Sequence, residues 1–156
     1  MKIQLSRQSW VLIDAEDAAL VNQYNWRAAH RPRVYYAQAD IVTPSGRRTT
    51  ILMHRLIAGF PPFRLDHRNQ NGLDNRKRNL RRATRSENAA NKAKPKNNTS
   101  GYKGVSWHAL SNKWRAYIKV NQKWKHLGLF SSAKAAAKAY DLAARRWFGK
   151  FAYTNK

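Results

Sequence analysis

The sequence predicts an α+β protein made of two small domains, and three observations carry that prediction. Residues 102–130 hold three aromatic-rich strand candidates split by short polar turns, and an alanine-rich helix candidate follows them. Residues 92–100, Lys-Ala-Lys-Pro-Lys-Asn-Asn-Thr-Ser, are polar and aperiodic and contain a proline, so they read as a basic linker between domains 1–91 and 101–156. Upstream, Thr84 and Glu87 form a capping-box pattern behind strand-like segments. A chain of 156 residues is long enough for one ordinary domain or two small ones, and two small cores are each marginal.

In chain order, the apolar run Trp10-Val11-Leu12-Ile13 comes first. Asp14 suits an N-cap with Asp17 in the first turn, and Leu20, Val21 and Tyr24 follow at helical spacing. Val34 to Val42 and Thr49 to Met53 alternate as strands around a Pro44-Ser45-Gly46 turn. His54 to Gly59 reads as a short helical turn closed by glycine. In the second domain, Tyr102–Trp107, Lys113–Lys119 and Lys123–Phe130 are the strands, with turns at Ser111-Asn112 and Asn121-Gln122. Ser131 or Ser132 opens a helix from Ala133 to about Phe148, and Gly149 stops it. Its expected buried stripe is Ala136, Tyr140, Ala143 and Trp147.

Composition narrows the function class. The net charge is +23, and a polyanion is the simplest partner for such a chain. Hydrophobic residues make up 42% of the chain and aromatics 12%, which excludes a disordered basic tail. There is no apolar run of the roughly 18 residues needed to span a bilayer, and no signal core at the N-terminus, so no membrane partner and a cytoplasmic location are expected. Without cysteine, disulfides, thiol nucleophiles and Cys-ligated zinc are impossible. Residues 1–91 carry 16 Lys and Arg against seven acids, net +9; residues 92–156 carry 15 against one, net +14. Acids oppose binding to a polyanion, so those retained need a reason.

Asp66-His67 sets a hard oxygen ligand beside an imidazole. Phosphodiester hydrolysis needs a cation on the phosphate oxygens and a base for water, which these two residues can supply. Asn88, in the first turns of the helix that Thr84 opens, can aim its amide oxygen at the same cation. Such oxygen donors suit Mg²⁺ or Mn²⁺ better than zinc. Taken singly the signals are ordinary: Asp-His pairs are common, and Asn-Gly and Asp-Asn are turn residues. Arg76, Lys77, Arg78, Arg81, Arg82 and Arg85 lie beside the site and are expected on backbone phosphates rather than as a merely solvated run. His54 either faces the site or caps its own segment, and the latter is the default reading.

Asp66-His67, Asn79 and Asn88, spaced 12 and then nine residues apart after His67, resemble the HNH nuclease family, especially its free-standing phage and intron homing endonucleases. Met53-His54-Arg55-Leu56-Ile57 also resembles the segment that precedes the motif in phage members. The resemblance implies a ββα-metal fold, with His67 as general base, Asp66 and Asn88 on one divalent ion, and Asn79 holding the loop and the His ring. The last position is often His in the wider family, and Asn here favours a harder metal.

In the middle strand of the second domain, Trp114, Ala116 and Ile118 alternate with Arg115, Tyr117 and Lys119, so the two sets face opposite sides. Leu127 and Leu129 are expected inward, and Trp124 and His126 outward; Lys103, Ser106 and His108 neighbour the outer face unless a bulge at Gly104 alters the parity. Tyr102-Lys103-Gly104-Val105, Lys113 to Ile118, His126 to Phe130, Ala135 to Asp141 and Gly149 to Asn155 resemble the Apetala/ethylene-response-factor DNA-binding domain. That family lays its sheet in the major groove. His126 stands where plant members have Trp, and Trp124 where they often have Arg, so a plant target sequence does not carry over. Asp141 matches the family and is expected to be structural.

Together these expectations describe a phage or mobile-element homing endonuclease in a phage-infected or bacterial cell. It nicks double-stranded DNA as a monomer, with a dimer as the alternative that would break both strands. Two rivals stand beside it. One is a DNA-binding regulator with an inactive nuclease half; the other is a ribosomal-type RNA binder, which accounts for the charge but not for the Asp-His-Asn-Asn spacing.

Overall fold

The computed structural model describes residues 1–6, 9–31 and 34–155. It is α+β, with several small antiparallel sheets and few helices, and it divides into two units, Met1–Ala83 and Thr84–Lys156. The division lies ahead of residues 92–100, so the helix opened by Thr84 belongs to the second unit.

In the first unit, β1 (Lys2–Ser6) pairs antiparallel with β2 (Ser9–Leu12), with Ile3 opposite Val11 and Gln4 opposite Trp10. Val11 is thereby buried and Trp10 exposed. Asp14 stands at the N-cap position of a 3₁₀ turn, Ala15–Asp17, but its side chain makes no capping bond there. Its carboxylate instead accepts from the backbone N–H of Lys77 at 2.7 Å. The helix that follows, α1 (Ala18–Val21), is one turn long and stops short of Tyr24. The Trp26 indole N–H donates to the Val21 carbonyl at 2.8 Å and takes up the acceptor that a further turn would have used.

Strands β3 (Arg27–Arg31), β4 (Val34–Val42) and β5 (Arg48–Leu52) form an antiparallel sheet in that order, and α2 (Met53–Ile57) follows. Val11, Ile13, Val21, Ala37, Met53 and Ile57 make the main core, with Ala39, Ile51 and Leu56 forming a second cluster. The unit ends in a hairpin of β6 (Arg64–His67) and β7 (Leu80–Ala83), which sets Asp66 opposite Arg81 and His67 opposite Leu80. The loop between them is tied to β2: the Leu12 N–H donates to the Leu73 carbonyl at 2.8 Å, and the Asn75 N–H to the Leu12 carbonyl at 2.7 Å.

The second unit begins with α3 (Arg85–Ala90), whose Thr84–Glu87 capping box is formed as expected. A sheet of β8 (Val105–His108), β9 (Lys113–Val120) and β10 (Lys123–Phe130) packs on α4 (Ala133–Phe148) through Val105, Ala116, Ala136 and Ala137. The Ser132 hydroxyl accepts from the Ala135 N–H, and Gly149 ends the helix at φ +49°. Two details differ from expectation. The buried stripe of α4 is Ala136, Ala137, Tyr140, Ala144 and Phe148, whereas Trp147 is exposed, because from Tyr140 the core-facing row steps by four residues rather than by three. The bulge falls between His126 and Gly128 rather than at Gly104, so Leu129 pairs with Arg115 and joins the outer face, while Leu127 packs on the core.

Candidate active site and nucleic-acid interface

The β6–β7 hairpin sets Asp66 and His67 side by side at the end of β6, with exposures of only 4% and 6%. His67 Nε2 lies 3.1 Å from Oδ1 of Asn75, a residue with no exposed surface at all. The Asn75 amide N–H₂ faces Met53 Sδ at 3.5 Å, which leaves Oδ1 as the acceptor. The imidazole proton therefore sits on Nε2 and the basic lone pair on Nδ1. Burial holds the ring below its ordinary pKa, against the opposing effects of the Asn75 hydrogen bond and the Asp66 and Asp74 charges. His67 is thus neutral near pH 7 and able to accept a proton.

Asn79 holds the loop. Its Oδ1 accepts from the Asn69 N–H at 3.1 Å, and its amide donates to the Asp74 carbonyl at 2.7 Å and to Asn69 Oδ1 at 3.0 Å. Asp74 accepts in turn from Asn69 Nδ2 at 2.8 Å and from the Arg76 guanidinium at 2.8 and 2.7 Å. The loop also presses on β4, where a Cβ on Gly72 would meet the Tyr35 carbonyl oxygen and lie 2.7 Å from the Tyr36 ring. Tyr36 and His54 complete the surroundings of His67. The His54 ring is 5.0 Å from that of His67 at a near-perpendicular angle, and Tyr36 is 5.7 Å from both. His54 is 8% exposed and faces the pair rather than only its own segment; burial pushes its pKa down to about 3, and the charges of His67 and Arg55 add to the shift.

Sequence reasoning missed Asn75, Tyr36 and Asn69. Asp74-Asn75 reads as a turn pair, and nothing local separates a turn asparagine from a fully buried one.

Among the basic positions expected on phosphates, Arg85 is exposed at the start of α3 and Arg76 is engaged by Asp74. Arg81 is inward: its Nε and Nη2 lie 2.8 and 2.7 Å from Asp66 Oδ2, with both side chains buried. Asn88 is half-buried within α3. Among the described residues no three His, Asp or Glu side chains gather into a metal cluster. The Asp66 carboxylate is a hard oxygen donor of the class that suits Mg²⁺, which keeps several waters and binds through one or two carboxylates together with substrate phosphate.

In the second unit, strand register collects the outer face of the sheet. Ser106 pairs with Arg115, His108 with Lys113, Tyr117 with His126 and Lys119 with Trp124. The Tyr117 and Trp124 rings meet edge-on at 5.2 Å, the Arg115 guanidinium lies 5.4 Å from the Tyr117 ring, and Lys119 Nζ lies 5.4 Å from the Trp124 ring. Trp124 is 65% exposed. His108 is turned to the Ser111 hydroxyl at 2.8 Å. Cations beside exposed ring faces form a surface suited to a polyanion that carries flat bases. Lys103, expected on this face, folds inward instead: its ammonium donates to the Lys92 carbonyl at 2.6 Å and to that of Ala90.

No family model matches the chain. A stretch of 92 residues, 59% of the chain, is 33% identical to an uncharacterized HNH endonuclease of Acanthamoeba polyphaga mimivirus and covers 46% of it. A stretch of 61 residues, 39% of the chain, is 39% identical to Protein 3.8 of Escherichia phage T7 and covers 50% of it. The chain is also 38% identical over 61 residues to the APETALA2-like protein 2 of Oryza sativa, covering 14% of that protein. The chain thus spans half or less of each of these relatives. Among the described residues no helix is long and apolar enough to cross a membrane.

Proposed function

We propose that this chain is a metal-dependent DNA endonuclease of the HNH homing type, with a ββα-metal site, that nicks double-stranded DNA where its C-terminal sheet docks. The observation that carries the reading is the buried, neutral His67, held by Asn75 beside Asp66 at the end of β6. Similarity to a viral protein named as an HNH endonuclease and to APETALA2-like proteins supports both halves of it.

A Mg²⁺ or Mn²⁺ ion held by Asp66 and Asn88 would supply Lewis acidity at the scissile phosphate. Asn88 enters this set through the family resemblance alone. His67 Nδ1 takes the proton of the attacking water, while Nε2 keeps its own proton on Asn75. Asn79 keeps the loop that carries Asn75 in shape, through Asn69 and Asp74. Arg115, Tyr117, Lys119, Trp124 and His126 dock the duplex, with Ser106 and His108 at the edge of that face and Arg76 and Arg85 on the backbone. One such site per chain cuts one strand, so a monomer nicks.

The test is cleavage of supercoiled plasmid with Mg²⁺ by wild type and by His67→Ala. Nicked circles from wild type and at least about a hundredfold less from the variant are expected for loss of a general base. A regulator with an inactive nuclease half is the second reading, and the buried Arg81–Asp66 pair favours it by engaging Oδ2 of the carboxylate that the ion needs. Equal inertness of both proteins, with duplex binding intact, would decide for the regulator.

A further inference from the structure

The helix thought to contribute Asn88 is built into the second unit. At six residues α3 is too short to persist alone; the N–H groups of Asn91 and Lys92 take its Glu87 and Ala89 carbonyls, whereas the carbonyls of Ala90 and Lys92 look to donors outside the helix. The second unit supplies them. The Ala90 carbonyl accepts from the Tyr153 N–H at 3.2 Å and from Lys103 Nζ, and the Lys92 carbonyl accepts from Lys103 Nζ at 2.6 Å. At the other end, Ser86 Oγ accepts from the Asn121 N–H at 3.2 Å.

Lys103 is itself anchored. Its N–H donates to Asn155 Oδ1 at 2.7 Å, and the N–H and side-chain amide of Asn155 donate to Asp141 Oδ1 at 2.9 and 3.0 Å. A chain of contacts therefore runs from Asp141 on α4 through Asn155 and Lys103 to the end of α3. The Tyr140 and Tyr153 rings flank the ammonium at 5.9 and 5.6 Å. Burial lowers its pKa to about 8, so the ammonium remains mostly charged at neutral pH, and a cation at a helix C-terminus meets the negative end of the dipole. To reach a phosphate, Lys103 would have to abandon two carbonyls. A compact ammonium with three donors suits this slot better than a planar fork.

We propose that Lys103 is a positioning residue, a clasp that fastens α3, and with it Asn88, to the sheet module, rather than a phosphate contact. The catalytic half of this proposal rests on the nuclease reading; the clasp does not.

The first test uses the wild-type chain. Lysines are reductively methylated with and without a duplex and quantified by mass spectrometry. A clasped Lys103 reacts slowly in the free protein and equally slowly on DNA, whereas Lys119 reacts fast and is protected. Reaction of Lys103 as fast as Lys119, with protection by the duplex, overturns the proposal.

The second test compares Lys103→Met with Arg115→Ala. For Lys103→Met the slope of log K against log salt is expected to stay at the wild-type value. Amide exchange at Ala90 to Lys92 is expected to rise about tenfold, as for the loss of a charge-assisted hydrogen bond. Arg115→Ala is expected to lose about one unit of salt slope and leave that exchange unchanged. A fall of one unit in the Lys103 variant with unaltered exchange refutes the clasp. On plasmid, Lys103→Met is expected to lower kcat with KM unchanged, and Lys103→Arg to recover part of it. If wild type does not cut at all, the nuclease reading fails, while methylation, exchange and salt slope still decide the clasp.

Discussion

His54 ties the first unit's stability to pH in a way that can be worked out in advance. Its ring is 8% exposed, and burial lowers its pKa from 6.5 to about 3. The unfolded chain titrates near 6.5, so between pH 6.5 and 3 it binds a proton that the folded chain refuses. Stability therefore rises with pH across that window; it is lost as pH falls below 6.5 and is gone by about 3. The slope is about 1.4 kcal/mol per pH unit while the unfolded form alone is protonated. Moving from pH 7.5 to 5.0 crosses one and a half units of the window, a loss of about 2 kcal/mol. His54→Phe keeps a flat ring against Tyr36 and His67 and removes the titration. Urea unfolding followed by tryptophan emission at both pH values gives the comparison. Wild type should lose about 2 kcal/mol more than the variant, since every other titrating group is shared and cancels. Equal losses in the two proteins would refute the account of a neutral, buried His54.

Three further outcomes follow from the same contacts. Asn75→Ala removes the partner of His67 Nε2 inside a fully buried site; a stability loss of about 1–3 kcal/mol is expected, with single-turnover cleavage slowed and duplex affinity unchanged. Arg81→Leu takes the guanidinium from buried Asp66, which should cost about 3–5 kcal/mol in thermal unfolding, where a surface phosphate contact would cost almost nothing. Gly104→Ala must hold φ +73° with a Cβ driven into the Tyr140 ring; a loss of about 3 kcal/mol or more in the second unit, read by near-UV circular dichroism and by loss of duplex retardation, is expected.

The second unit was the more legible in sequence because its signals are local. Alternation along Lys113–Val120 sorted Arg115, Tyr117 and Lys119 onto one face, Ser132 capped the helix, and Gly149 stopped it. What alternation could not locate was the bulge at His126–Gly128, which sent Leu129 outward. In the first unit, Arg27–Arg31 has no apolar alternation, and it is a strand only because β4 offers it a ladder. The family resemblance that Asp66, His67 and Asn79 carry implied paired strands with Asn79 on their loop, and these residues do lie on the β6–β7 hairpin and its loop. The residue that fixes the His67 ring, Asn75, had no local signature.

The sequence by itself determined the excess of positive charge, its concentration after residue 92, and the scarcity of acids. Only the tertiary structure decided what those acids do. Asp14 takes the N–H of Lys77, and Glu16 and Asp17 take its ammonium. Asp40 pairs with Arg27, Asp66 with Arg81 and Asp74 with Arg76, while Glu87 closes the α3 cap and Asp141 holds Asn155. Every acid thus has a structural partner, Asp66 included, so their retention is not in itself a sign of catalysis. Two cations the sequence placed on DNA, Arg81 and Lys103, are turned inward by the same logic. The reason is physical. Periodicity encodes which face a residue occupies within its own element, whereas a hydrogen-bond partner 15 or 63 residues away exists only once the chain has folded.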